Sequence, residues 1–158
     1  MSSSTSTDLW GQDIALDDNG QAKVSASGEF ILTSGVETGV QDIKLRLFTR
    51  LGELFYDTGF GSLIHDWILE ENTSLNRIGF CAEVTMRIEA DPRVKFGSVK
   101  TQVLLWNETQ LHVAADFEFI GADQPTNLVL QYNKSTKALV IKDVNPSDSS
   151  TAEIIQNP

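Results

Sequence analysis

Val99-Lys-Thr-Gln-Val-Leu-Leu-Trp106, Asn107-Glu-Thr-Gln110 and Leu111-His-Val-Ala-Ala-Asp-Phe-Glu-Phe119 follow one another without a break. In the first run Val99, Thr101, Val103 and Leu105 oppose Lys100, Gln102, Leu104 and Trp106. In the last, Leu111, Val113, Ala115, Phe117 and Phe119 oppose His112, Ala114, Asp116 and Glu118. A period of two is the signature of a half-buried strand, and a four-residue polar connection makes the pair a hairpin. Leu128-Val-Leu-Gln-Tyr132 and Lys137-Ala-Leu-Val-Ile-Lys142, joined by Asn133-Lys-Ser-Thr136, predict two further strands. The C-terminal half therefore reads as a mainly antiparallel sheet.

Upstream the period changes to that of a helix. Val36, Val40, Ile43, Leu47 and Leu51 recur every three or four residues after Ser34-Gly-Val-Glu37, which has capping-box spacing, and Gly52 is the natural stop. Asp42 and Arg46 are placed to pair on its exposed side, and Arg46 and Arg50 share a stripe. A second helix should begin at Thr73 or Ser74 and end before Pro92. Its stripe is Leu75, Ile78, Ala82, Thr85 and Ile88, with Phe80 and Val84 adding apolar surface elsewhere, so it should be covered on more than one side. Cys81 then reads as a small buried residue, and Glu83 and Arg87 as an i,i+4 pair. The expected fold is α+β: two helices packed on a mainly antiparallel sheet, in one compact domain over residues 9–144. Polar, flexible tails are expected at 1–8 and 145–158.

One domain fits the 158 residues, and a core of that size needs neither a disulfide nor a structural metal. Twelve basic against 22 acidic residues leave a net charge of −10, which disfavours direct nucleic-acid binding. Eight of the 12 bases fall between residues 36 and 100, so if anything binds an acidic partner it should be that section. No apolar run is long enough to insert in a membrane, and the start has neither a basic nor an apolar export segment, which points to a soluble chain made in a cytoplasm.

Chemistry is thinly provided for. Asp17-Asp-Asn-Gly20 is not a calcium loop, because with Gly20 sixth the first and twelfth positions are Ala15 and Ala26. Gly59 and Gly61 are followed by Ile64 where a dinucleotide fingerprint needs glycine; a backbone turn around a packed Phe60 fits better. His65 and His112 lack metal-spaced companions, so no metal or cofactor is expected. Glu53, Asp57, Asp66, Glu70 and Glu71 could furnish the carboxylate pair of a glycosidase. In so acidic a chain, solvated carboxylates are the simpler reading, and the expectation is a protein that is not an enzyme.

The order of features is more distinctive than any one of them. A strand ending at Ser34-Gly35, a helix with Gln41-Asp42-Ile43 and Arg46-Leu47, Thr49-Arg-Leu-Gly-Glu53, a Gly59-Phe-Gly-Ser62 turn, a second helix and Asp91-Pro-Arg-Val94 before the strands resembles the baseplate wedge and sheath-initiator family of contractile phage tails. Type VI secretion baseplates and R-type bacteriocins have relatives of it. The likeness runs from about Gly28 to Ile120. The family's Glu-Pro-Arg signature falls on Asp91, Pro92 and Arg93, the acid being shorter here by one methylene. The resemblance implies a structural virion component of the tail baseplate, in six copies and assembled in the host cytoplasm. It would dock through that motif on the helical core bundle of the wedge proteins, meet tube or hub proteins, and template the first ring of tail sheath protein. Arg93 is expected to support docking more than folding, with an internal salt bridge to its own fold as the alternative, since an arginine fork can serve either. For the sheath contact the strand Lys137 to Lys142 is the best local candidate, with Val140 at its centre and Lys137 and Lys142 as guards against premature pairing. A tail-associated glycosidase, or the equivalent subunit of a secretion system or bacteriocin, is the alternative.

Overall fold

The computed structural model describes residues 11–17, 20–33 and 35–144. The tails expected at 1–8 and 145–158, together with Asp18, Asn19 and Ser34, lie outside them. The architecture is α+β. Helices α1 (Val36–Phe48), α2 (Ile64–Trp67) and α3 (Ser74–Glu89) are followed by strands β1 (Lys100–Trp106), β2 (Gln110–Phe117), β3 (Thr126–Asn133) and β4 (Ala138–Asp143). The strands form an antiparallel meander in sequence order, so β1 and β4 are its edges.

The hairpin turns form for local reasons. Asn107 Oδ1 accepts from the N–H groups of Thr109 and Gln110, and Asn133 Oδ1 accepts from those of Ser135 and Thr136. Each side chain thus replaces a strand partner where the chain reverses. The inner face of β2 is Leu111, Val113, Ala115 and Phe117, as its alternation predicts. In β1 the alternation breaks. A bulge between Val103 and Leu105 inserts a residue, so Trp106 turns inward with Val103 while Leu104 stays exposed.

α1 and α3 lie together over the inner face of the sheet, joining Val40, Ile43 and Leu47 to Phe80, Val84 and Ile88 in one core. α1 ends at Phe48, three residues short of the expected Leu51, because Thr49 is extended and Arg50 bridges Ser62. Its N-cap is Gly35, at φ 56° and without a side-chain cap. Thr73 caps α3 through a bond from Asn76 N–H.

α3 contradicts the expected stripe. It buries Phe80, Glu83, Val84 and Ile88 and leaves Leu75, Ile78, Ala82 and Met86 exposed, so one side is covered and not two. Cys81 is half-buried at the boundary, not enclosed. The one-turn α2 was not foreseen. Leu63 N–H at its start donates to the buried Glu83 carboxylate, and its Trp67 ring lies over Gly79 of α3. A Cβ at Gly79 would come within 2.4 Å of that ring, so glycine is needed for the approach.

Residues 11–33 add a small collar. Ala15 N–H donates to Ile31, Ile31 N–H to Lys23, and Lys23 N–H to Ala15, so three short extended segments each bond the other two. Gln41 of α1 anchors them, accepting from Leu16 N–H and donating to Ile14 C=O at 2.7 Å each.

Candidate functional site: an ion-paired corner and an open sheet edge

Asp91, Pro92 and Arg93 form the corner between α3 and the sheet. Ile120 N–H donates to Arg93 C=O and Lys95 N–H to Glu118 C=O, which ties the corner to the chain leaving β2. Asp91 is buried and its Oδ1 accepts from Arg93 N–H at 2.9 Å and from Arg93 Nε at 3.0 Å. Arg93 Nη2 reaches Asp91 Oδ2 at 2.7 Å and Asp42 Oδ2 of α1 at 2.8 Å. The fork therefore ties the end of α3 to α1. Pro92 is exposed beside it, and four residues on Phe96 projects with 90% of its surface open.

The electrostatics follow the geometry. Burial raises the Asp91 carboxyl, but the Arg93 side-chain and backbone bonds outweigh it and hold the group below its ordinary value. Asp42 is raised, because desolvation outweighs its bond to Arg93. The two carboxylates hold the Arg93 guanidinium firmly charged, the bond to Asp91 foremost. Asp42 thus pairs with Arg93 and not with Arg46, as helix spacing alone suggested. Glu83 and Arg87 do pair, at 2.6 Å, but inside the fold.

The second element is the outer side of β4. Val144 N–H donates to Asn127 C=O, and stepping by two along the antiparallel register puts Lys142 opposite Val129 and Val140 opposite Gln131 in the bonded pairs. Val140 therefore points its N–H at β3, and the N–H groups of Leu139 and Ile141 point outward. Lys137 sits in the turn at φ 58°, before the strand starts at Ala138, and Lys142 lies within the strand. Among the described residues no strand pairs with this outer side.

The remaining candidates are dispersed. Glu53, Asp57, Asp66, Glu70 and Glu71 are all exposed, and Glu53 accepts from Arg50 N–H. His65 Nδ1 is buried without a partner, and desolvation first and Arg50 second keep its ring below the ordinary histidine value. His112 is half-buried on β2. Among the described residues no three metal-ligating side chains stand together, and no helix is long and apolar enough to cross a membrane. An open depression of about 520 Å³ lies between α3 and β1, lined by Cys81, Thr85, Met86, Glu89 and Thr101.

Glu83, Gly79 and Gln41 carry structural roles that sequence reasoning missed. A glycine inside a helical pattern was the available signal for Gly79; for buried Glu83 and Gln41 nothing in the spacing marks them.

No protein-family model and no curated protein matches the chain. Among solved structures, the fold is similar to that of a protein from Geobacter sulfurreducens provisionally named a tail lysozyme. The two share 23% identity at a TM-score of 0.55, over 65% of this chain and 94% of that one.

Proposed function

We propose that this chain is a structural subunit of the baseplate of a contractile tail, docking on the wedge core bundle at the Asp91-Pro92-Arg93 corner and templating the first sheath ring along β4. The observation that carries the reading is the outer side of β4: a short edge strand whose Leu139 and Ile141 N–H groups face away from β3. Such an edge accepts a strand by backbone bonds, and Lys142 and the neighbouring Lys137 deter indiscriminate pairing. The order of motifs from Gly28 to Ile120 supports the same reading, as does fold likeness to a protein named for a tail. At the corner, exposed Pro92 and Phe96 supply contact surface while Arg93 sets the angle between α3 and α1. Six copies around the tube, contacts to hub or tube proteins, location in the virion tail and assembly in the host cytoplasm belong to the same proposal. A cryo-EM map of the tail end of particles containing this chain tests it: a strand of sheath protein beside β4 is expected, and sheath density elsewhere would refute it.

The neighbour's name favours a second reading, a tail-associated lysozyme. Retaining and inverting glycosidases need two carboxyl groups about 5 to 9.5 Å apart across one bond. Here the five candidate acids are exposed side chains spread over loops and a single helical turn. Peptidoglycan lysis by the purified chain, lost on replacing Glu53 and Asp57 together, would establish that reading against ours.

A further inference from the structure

The three segments of the collar repeat one pattern at a spacing of eight residues. Ala15, Lys23 and Ile31 stand at their centres, and each donates its N–H to a carbonyl of the next segment, at 2.6, 2.8 and 3.1 Å, around a closed triangle. Gly20 and Gly28, at φ 83° and 87°, make the turns between segments. Antiparallel bridges join Ile14 to Leu32, Leu16 to Ala22 and Val24 to Phe30, one pair at each corner. Opposed residues share a face, and so do residues two apart along a strand. All six therefore stand on one side of the triangle, and every one is apolar. The other side meets the fold: Ala15 and Thr33 are buried, and the Thr33 hydroxyl bonds that of Thr38 on α1. On the apolar side Leu16 is half-buried and the remaining five are exposed, Phe30 with 60% of its surface open.

Contiguous apolar surface of this kind marks a contact. Because the triangle is closed, the central N–H groups are already bonded and offer no strand edge, so a partner must dock by side chains. The charges around the face select that partner. Asp13, Asp17 and Glu29 stand at the ends of the segments, and Lys23 is the one base between residues 11 and 33. A second copy would bring like charges together, and an anionic lipid surface would be repelled in the same way. The chain's own segments 1–10 and 145–158 contain no Lys or Arg to complement the acids. We propose that the apolar face of the collar docks an amphipathic helix of another protein whose apolar stripe is flanked by Lys or Arg. Such a helix presents anchors at i, i+3, i+4 and i+7 and needs no backbone bond from its receptor. The inference stands independently of the tail reading and would survive its failure.

The test follows backbone amide signals of the full 15N-labelled chain during titration with an acetylated peptide amide of two Leu-Lys-Lys-Leu-Leu-Lys-Leu repeats, whose leucines and lysines take opposite sides of a helix. Saturable shifts centred on Ile14 to Leu32 are expected, with none from a shuffled peptide or from one carrying glutamate for lysine. Phe30→Ser should weaken binding about tenfold by removing buried apolar surface, and should melt with the parent because the ring is exposed in the free chain. Val24→Ser, across the corner from Phe30, gives a second reading of the same loss. Shifts centred on Leu75 and Ile78 of α3, equal binding by the glutamate peptide, or silence in the collar would overturn the assignment. So would a dimer in sedimentation that Phe30→Ser dissolves, or binding to anionic vesicles that Phe30→Ser abolishes. Tighter peptide binding on Trp10→Ser would give the face to the chain's own N-terminal segment instead.

Discussion

The two sides of α3 are about equally apolar in sequence and opposite in fate. Phe80, Val84 and Ile88 are sealed in the core, whereas Leu75 and Ile78 keep 77% and 68% of their surface open. What separates them is the company they keep. The inner side carries Glu83, whose carboxylate holds both Arg87 and the start of α2, and Gly79, which admits the Trp67 ring. The outer side has no comparable anchor within the described residues. A stripe of apolar residues at helical spacing thus identifies a surface that wants cover, not which neighbour supplies it.

The sharpest contrast should come from truncating each side. Phe80→Ala should cost about 3 to 5 kcal/mol of unfolding free energy in denaturant titration, while Ile78→Ala should stay within about 0.5 kcal/mol. Equal losses would break the distinction. Glu83→Ala strands the half-buried Arg87 and the Leu63 N–H, and should cost about 3 kcal/mol. Gly79→Ala forces Trp67 off its seat, for about 1 to 3 kcal/mol by the same titration.

A smaller effect, in pH, sharpens the comparison at the corner where α3 ends. The folded-state value of Asp91 is depressed below the 3.8 of a free side chain. Its contribution is therefore complete above that value and lost as pH falls through the folded one. Asp42 is raised and acts in the opposite sense, its penalty being relieved as it protonates. Melting curves taken from about pH 5 down to about pH 2 should show Asp91→Asn losing less stability on acidification than the parent, and Asp42→Asn losing more. At neutral pH, Arg93→Ala should lower the melting point, because it leaves the buried Asp91 unpaired; an unchanged melt would restore a docking role free of any folding role.

Much of the fold was legible in the sequence. β2 alternates strictly from Leu111 to Phe117, and the β1–β2 and β3–β4 turns each carry an asparagine that closes them, so those two hairpins follow from local rules. The bulge in β1 was not legible, since Leu104 and Leu105 are both apolar and the extra residue leaves the composition unchanged. α2 is a single turn, too short to show a period. At the candidate site the motif Asp91-Pro92-Arg93 was visible, but its link to Asp42 spans 51 residues and no local pattern encodes it. The direction of Val140's N–H depends on register, which periodicity leaves open by one residue.

That direction supplies the most direct test of the role proposed for β4. Proline at Leu139 removes an outward N–H and spares the ladder to β3, whereas proline at Val140 removes an inward one and should destabilise the monomer. Tails assembled with a Leu139→Pro subunit whose folding has been verified should be imaged by electron microscopy. The account predicts baseplates that carry tubes but fail to start a sheath; normally sheathed tails would contradict it.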